Sequence, residues 1–157
     1  MNNVGGIRMY LARRELQGDN CHLLRVTLDD YARLFASADH NTPVPMARPD
    51  SAQLLDKFSS QLRQLRQELP VRFHSKLDEI IPEVPSLFTE EWPLVPNHID
   101  LLENNIHVDA ATGRITGICD WDGVEVSPFG LSLGWTEIML GTLTTSGDFW
   151  RYHPNQW

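Results

Sequence analysis

The sequence has little positive charge for its length. Its 13 lysines and arginines stand against 21 aspartates and glutamates, so the formal net charge is −8, and just two residues, Lys57 and Lys76, are lysines. Nucleic acids and anionic membranes attract proteins through basic surfaces. We therefore expect neither as a direct partner, and an anionic ligand such as a nucleotide would need a cation to mediate its binding.

Cysteine and long apolar runs are also scarce. Cys21 and Cys119 lie far apart and match no metal-binding or redox spacing, which favours a reducing, cytoplasmic location. The first residues lack the basic start and apolar run of a signal peptide, and no apolar stretch reaches the roughly 18 residues of a membrane span. With 41% hydrophobic residues among 157, the composition is that of one globular domain, or a part of one.

Helical periodicity characterises much of residues 27–81. Residues 27–40 form a predicted helix with Thr27 as its N-cap, because two acids follow Thr27 and the apolar residues share one face. Residues 51–69 repeat leucine and phenylalanine at steps of one, three or four, which predicts a strong amphipathic helix stopped by Pro70. A shorter helix is predicted over residues 71–81.

The second half has a different character. Two β-rich runs, Ile106–Val108 and Ile115–Ile118, flank the turn sequence "DAATG", which predicts a β-hairpin. Residues 123–130 are predicted as loop, and residues 131–141 as a final apolar helix. The combination predicts an α+β fold.

Three polar residues around this hairpin can converge on one point. Asp100 enters the first strand, Asn105 follows five residues later, and Asp120 ends the returning strand. Asn105 and Asp120 offer oxygen ligands of the type that Mg²⁺ takes together with water and phosphate oxygens. Asp100, left unligated, could accept a proton from an attacking hydroxyl.

Two other interpretations use the same residues. The three side chains could cap turns and bond to the loop backbone. Alternatively, His98 and His107 could bind a metal together with Asp100 and Asp109, although strand geometry carries His107 and Asp109 away from the other two. The remaining acids are expected on solvated loops or rims: Glu103, Asp109 and Asp122.

The stretch "HIDLLENN" matches the pattern His-x-Asp-x4-Asn, and "ICDWDG" is similar to the Asp-Trp/Phe-Asp/Gly metal motif of kinase-like folds. Residues 92–141, which include the hairpin and the "PFGLSL" segment, closely resemble the aminoglycoside phosphotransferase family and its fungal members in particular. The resemblance implies the mostly helical C-terminal lobe of a kinase-like fold with a small catalytic hairpin. It also implies phosphoryl transfer from ATP with Mg²⁺ to a hydroxyl of a small molecule.

The resemblance also implies a role for each residue of the motif. Asp100 corresponds to the catalytic base, and Asn105 and Asp120 to the ligands that hold Mg²⁺ against the nucleotide phosphates. His98 corresponds to the histidine that braces the catalytic loop. Ile99 departs from the pattern, since this position is commonly glycine in the family and arginine in protein kinases, and isoleucine disfavours a positive φ.

Part of the family's machinery is not found in the sequence. Kinase-like transfer also uses a glycine-rich phosphate loop and a strand lysine, yet the chain has no Gly-x-Gly-x-x-Gly, and both of its lysines fall on predicted helices. We therefore expect residues 1–157 to form a single partial domain that lacks the β-rich N-terminal lobe. A helical lobe without its partner lobe would expose apolar surface, over which two copies of the chain could associate. The alternative function is a non-catalytic kinase-like domain that binds a small molecule or a partner protein.

Overall fold

The computed structural model describes residues 4–40, 49–145 and 147–150. The α-helices in these ranges are α1 (Arg13–Leu16), α2 (His22–His40), α3 (Ser51–Glu68), α4 (His74–Ile80) and α5 (Gly134–Leu140). Short 3₁₀ segments accompany them at Asp19–Cys21, Val71–Phe73, Ile81–Phe88 and Leu131–Leu133. None of the helices in the described ranges combines the length and the apolar character needed to cross a bilayer.

The strands are short and pair in antiparallel fashion. In chain order they are β1 (Ile7–Arg8), β2 (Leu94–Asn97), β3 (Ile106–Val108), β4 (Ile115–Ile118), β5 (Glu125–Pro128), β6 (Gly141–Thr144) and β7 (Gly147–Trp150). β3 lies between β1 and β4 in one sheet, while β2 pairs with β5 and β6 with β7. Helices and small antiparallel sheets thus make up an α+β architecture, as predicted.

Helix α2 begins earlier than predicted, and the assignment of Thr27 as its N-cap is wrong. The helix starts at His22, directly after the 3₁₀ segment, and its buried stripe already includes Leu24. Thr27 lies inside the helix with 1% of its surface exposed. Its hydroxyl donates to the carbonyl oxygen of Gly113 at 2.6 Å, so this threonine joins the helix to the hairpin.

The predicted β3–β4 hairpin is confirmed, with Ile106 paired to Ile118 and Val108 to Ile115. Asp109 shapes its turn by accepting the backbone N–H of Ala111 with its carboxylate at 2.8 Å. This is the side-chain-to-backbone bond that favours aspartate at turns. The acid therefore has a structural role in the turn.

The hairpin turn is held against α2 at close range. Asp30 of α2 accepts the backbone N–H of Ile115 at 3.1 Å and pairs with Arg114 at 2.9 Å. Gly113 has a φ of +72°, and a Cβ at this position would lie 2.2 Å from the carbonyl oxygen of Leu23. Only glycine fits this approach, because both the backbone angle and the distance exclude a side chain.

Residues 123–130, predicted as loop, instead contain strand β5, and this prediction is wrong. Val95 of β2 pairs with Ser127, and Pro96 pairs with Val126. The run "EVSP" is too short to show an alternation, and its partner strand lies far away in sequence. The pairing fixes the end of β2, from which the loop bearing His98 and Asp100 departs.

The predicted helices over 51–69, 71–81 and 131–141 are confirmed, with small differences at their ends. Asp50 caps α3 by accepting the backbone N–H of Ala52 at 2.9 Å. The helix packs on the Ile81–Phe88 segment, where the rings of Phe58 and Phe88 have centroids 6.0 Å apart. Farther along, the Arg66 guanidinium hydrogen-bonds both carboxylate oxygens of exposed Asp78 and lowers the pKa of that carboxyl.

The main core lies between α1, α2 and the hairpin. Its most deeply buried apolar side chains, each with 2% or less exposed, include Leu16, Leu24, Leu101, Ile106 and Val108. Leu101 belongs to the segment between β2 and β3, so this segment is anchored in the core although its neighbours face solvent. Burial of that apolar surface favours a single position for the segment.

Gly113→Ala should lower the free energy of unfolding by about 2 kcal/mol or more. The left-handed backbone costs a non-glycine residue roughly 1–2 kcal/mol, and the overlap with Leu23 adds a packing penalty. Urea unfolding followed by circular dichroism measures the change. Gly5→Ala is the matched control, since a Cβ on Gly5 meets nothing within 4 Å. Equal unfolding midpoints for the two variants would contradict this account of the hairpin contact.

Candidate active site

The segment of residues 98–105, here called the 98–105 loop, connects β2 with β3. Asp100 and Ile99 are exposed in it, whereas His98 and Leu101 are buried. The backbone N–H of Asp100 donates to Nδ1 of His98 at 3.1 Å. The side chain of His98 therefore holds the backbone at the start of the loop, and Asp100 is exposed to solvent.

His98 links this loop to the end of β4. With Nδ1 accepting from Asp100, the proton lies on Nε2, which donates to the carbonyl oxygen of Cys119 at 2.9 Å. The ring packs edge-on against Trp121, with centroids 5.0 Å apart. His98 is 4% exposed, and both of its ring nitrogens form hydrogen bonds within the protein. The bracing role in catalysis that the sequence resemblance implies for His98 stays a prediction.

Asn105 contacts Asp100 directly. Its Nδ2 donates to the backbone oxygen of Asp100 at 2.8 Å and lies 3.3 Å from the carboxylate Oδ2. The backbone oxygen of Asn105 accepts the N–H of Cys119 at 2.8 Å. Both backbone polar groups of Cys119 are thus held by the 98–105 loop, the N–H by Asn105 and the carbonyl oxygen by His98.

Asp120 follows at once and has an unusual backbone. Its φ is +61°, in the left-handed region, and its carboxylate is exposed. Non-glycine residues pay for this conformation, although aspartate tolerates it better than most. Trp121 supports the turn by donating its indole N–H to the carbonyl oxygen of Ile118 at 2.9 Å. We call residues 119–121 the Cys119 turn.

The structure therefore brings the sequence-predicted residues together. Asp100 and Asn105 share a hydrogen bond, and Asp120 directly follows Cys119, whose backbone His98 and Asn105 hold. In the described part of the chain, neither Asp100 nor Asp120 forms an ion pair with a basic side chain. The arrangement presents two exposed carboxylates and one carboxamide on the adjoining loop and turn.

The alternative metal site of two histidines and two aspartates is not assembled. His107 lies in β3 opposite Arg8 and Gly117, and Asp109 shapes the hairpin turn. Within the described ranges, no three histidine, cysteine, aspartate or glutamate side chains come close enough to hold a metal ion. A transition-metal centre of the usual three or four ligands is therefore excluded for these residues.

Ile99 keeps an ordinary backbone angle at the position where glycine or arginine was expected. Among the described residues, the non-glycine positions with positive φ are Asn20, Cys21 and Asp120. The Ile99 side chain is 52% exposed and lies over Gly123, where a Cβ would approach its Cδ1 to 2.8 Å. Isoleucine at this position thus has an unstrained backbone and places an apolar group beside Asp100.

Asn97, which the sequence did not single out, is the polar anchor behind the loop. It is 3% exposed, and its Nδ2 lies 2.9 Å from Oγ of Ser127 and 3.2 Å from the backbone oxygen of Pro128. Its Oδ1 accepts from the backbone N–H and the hydroxyl of Ser132, at 3.1 and 3.0 Å. The carboxamide of Asn97, the residue directly before His98, therefore joins β2 to β5 and to the Leu131–Leu133 segment.

Glu103, expected on a solvated loop, is instead buried with 9% of its surface exposed, and that expectation is wrong. It forms an ion pair with Arg13 of α1. A buried carboxylate needs such a partner. The pair connects the 98–105 loop with the first helix, a contact across 90 residues that local sequence cannot reveal.

A cleft of about 420 Å³ adjoins the loop. Its lining includes His98, Ile99, Glu125, Leu131 and Gly134. Within the 98–105 loop its lining ends at Ile99, one residue before Asp100 in the sequence, and we call it the loop cleft.

The comparisons place the chain in a family. The sequence model of the phosphotransferase enzyme family matches residues 9–139, which include the helices, the hairpin and all four predicted site residues. The chain belongs to this phosphotransferase family, which implies a kinase-like fold. Searches of curated proteins and of solved structures gave no match.

Asn97→Ala should lower the free energy of unfolding by about 2–3 kcal/mol, because it leaves buried partners on β5 and at Ser132 without a hydrogen bond. Chemical denaturation measures the loss. Asn104→Ala, at an exposed position of the same loop, serves as the control and should change stability by about 0.5 kcal/mol or less. A similar small effect at Asn97 would contradict its role as an anchor.

Substitutions of Asp120 should rank in stability by their tolerance of a left-handed backbone. Asp120→Gly should be at least as stable as the unchanged chain, and Asp120→Ala less stable by about 0.5–1 kcal/mol. Thermal unfolding of the two variants in parallel measures the order. An alanine variant as stable as the glycine variant would show that the positive φ is not imposed by the fold.

Proposed function

We propose that this chain carries the base and the magnesium ligands of an ATP-dependent phosphotransferase acting on a hydroxyl of a small molecule. In this proposal Asp100 receives the hydroxyl proton, while Asn105 and Asp120 hold Mg²⁺ against the nucleotide phosphates. The observation that carries the proposal is the linkage of the three residues through the backbone of Cys119, which Asn105 and His98 bond and which Asp120 follows directly. Family membership supports the reaction class.

The donor set is suited to Mg²⁺. Asn105 uses its Nδ2 for Asp100, which leaves the amide oxygen as its acceptor. Asp120 is an exposed carboxylate held in a fixed backbone conformation. Two hard oxygen ligands agree with a cation that keeps several waters and takes phosphate oxygens as further ligands. When bound, Mg²⁺ would neutralise charge on the transferred phosphoryl group.

Asp100 is suited to receive a proton. Its carboxylate faces solvent, carries no ion pair with a described basic residue, and is oriented by the amide of Asn105. His98 fixes the backbone at Asp100 through Nδ1. These contacts position the carboxylate in advance, and such positioning supplies much of the rate enhancement in phosphoryl transfer.

Asp100→Asn and Asp120→Asn should separate the two roles. At a nucleotide concentration about 100 times Kd, binding should stabilise the unchanged chain by about 2.7 kcal/mol. Asp120→Asn should lose this Mg²⁺-dependent stabilisation, whereas Asp100→Asn should keep it and lose turnover of ATP. Thermal unfolding with millimolar MgATP, together with an assay of ADP release, measures both.

Asp122→Asn is the matched control, because Asp122 is an exposed acid that lies two residues after Asp120 and has no role in the proposal. It should resemble the unchanged chain in both assays. Unchanged turnover in Asp100→Asn and Asp120→Asn would overturn the assignment of the site. No response of the unchanged chain to MgATP would favour a non-catalytic kinase-like domain instead.

A further inference from the structure

A second, larger recess opens on the surface next to the loop cleft. It has a volume of about 630 Å³ and lies between α3, the Ile81–Phe88 segment and residues 128–134. We call it the apolar groove. Its size falls within the range of small-molecule sites, which is about 300–1,000 Å³.

The lining of the apolar groove is aromatic and aliphatic. Its aromatic side chains are Phe58, Phe88, Trp92 and Phe129, and Leu62 is among its aliphatic ones. No carboxylate is among the described residues that line it, and Gln61 supplies the one side-chain amide. The indole N–H of Trp92 is already donated to the carbonyl oxygen of Phe129 at 3.0 Å. A ligand here gains by burying apolar surface and finds no negative charge for an ammonium group.

The apolar groove continues into the loop cleft. Leu131 and Gly134 line both recesses, and the loop cleft is bounded on its other side by His98 and Ile99. Ile99, next to Asp100, is itself an exposed apolar side chain. An elongated ligand in the groove can therefore extend past Gly134 towards the residue that we propose as the base.

We propose that the acceptor is an alcohol with a bulky apolar body, which lies in the apolar groove while its hydroxyl reaches Asp100. This inference rests on the proposed function and specifies its substrate class. The alcohol oxygen forms a bond to the γ-phosphorus of ATP, and the bond from that phosphorus to the β–γ bridging oxygen breaks. The hydroxyl proton passes to Asp100, and the products are a phosphate monoester and ADP. The groove itself offers no carboxylate to the amines of a polycationic amino sugar, so it favours an apolar body over a cationic one.

Gly134 allows the junction to be blocked without disturbing the fold. Its backbone is right-handed, with φ −55° and ψ −28°, and a Cβ built on it meets nothing within 4 Å. Gly134→Phe would therefore attach a ring at the junction of the two recesses through a Cβ that contacts no neighbouring atom. Gly5→Phe is the matched control, since Gly5 also has open space around its Cβ and lines neither recess.

The test measures binding and transfer separately with phenylalkanols of increasing chain length, from 3-phenylpropan-1-ol to 6-phenylhexan-1-ol. In isothermal titration calorimetry, affinity should rise about two- to fourfold per added CH₂. Gly134→Phe should reduce that affinity at least tenfold, and Gly5→Phe should not. With MgATP present, mass spectrometry should detect the phosphate monoester from the unchanged chain and from Gly5→Phe. Neither Gly134→Phe nor Asp100→Asn should form it.

Two outcomes would overturn the inference, and they are distinguishable. If MgATP stabilises the chain through Asp120 but the alcohols do not bind, or bind Gly134→Phe equally well, the substrate class is wrong and the proposed function stands. If the alcohols bind in the groove but MgATP neither binds nor is turned over, the proposed function fails. The groove is then a ligand site without an acceptor role.

Discussion

The backbone of Cys119 is the point on which the candidate site depends. Its N–H is held by the backbone oxygen of Asn105 and its carbonyl by the imidazole of His98, at 2.8 and 2.9 Å. These two bonds join the 98–105 loop to the end of β4 through the two successive peptide groups that flank the Cα of Cys119. Without them, Asp100 and Asp120 would lie on separate surface segments whose conformational freedom would oppose a common geometry.

The support behind this junction is buried and polar, whereas the reactive groups are exposed. Asn97 ties the start of the 98–105 loop to β5 and Ser132, and Glu103 ties its later part to Arg13. Leu101 adds an apolar anchor with 2% of its surface exposed. Such a division suits a site in which the scaffold fixes positions and the carboxylates remain accessible to ligands. The positive φ of Asp120 is a local cost that this scaffold has to offset.

The sequence predicts those features whose signals are local. Helix α3 is evident from its leucine spacing, and the hairpin from its two β-rich runs and the Asp109 turn. Asp100, Asn105 and Asp120 are found through their spacing along a hairpin and through a family motif. The roles of Asp100, Asn105 and Asp120 in binding and catalysis remain predictions.

The features that the sequence does not predict depend on distant partners. The local sequence of Thr27 is typical of an N-cap, but its hydroxyl donates to distant Gly113. The local sequence of Glu103 is typical of a surface acid, but it pairs with distant Arg13. Strand β5 exists because β2 lies beside it, since four residues carry too little pattern of their own. Asn97 resembles any loop asparagine, and its importance comes from hydrogen-bond partners about 30 or more residues away.

The central claim is that the 98–105 loop and the Cys119 turn act together as one Mg²⁺-nucleotide site. Nuclear magnetic resonance of isotope-labelled protein tests it most directly, by titration with Mg²⁺ and a non-hydrolysable ATP analogue. The account predicts that amide signals of residues 98–105 and 119–121 shift together, with one shared dissociation constant, and only when both components are present. Shifts confined to other regions, or none in these two segments at millimolar nucleotide, would contradict it.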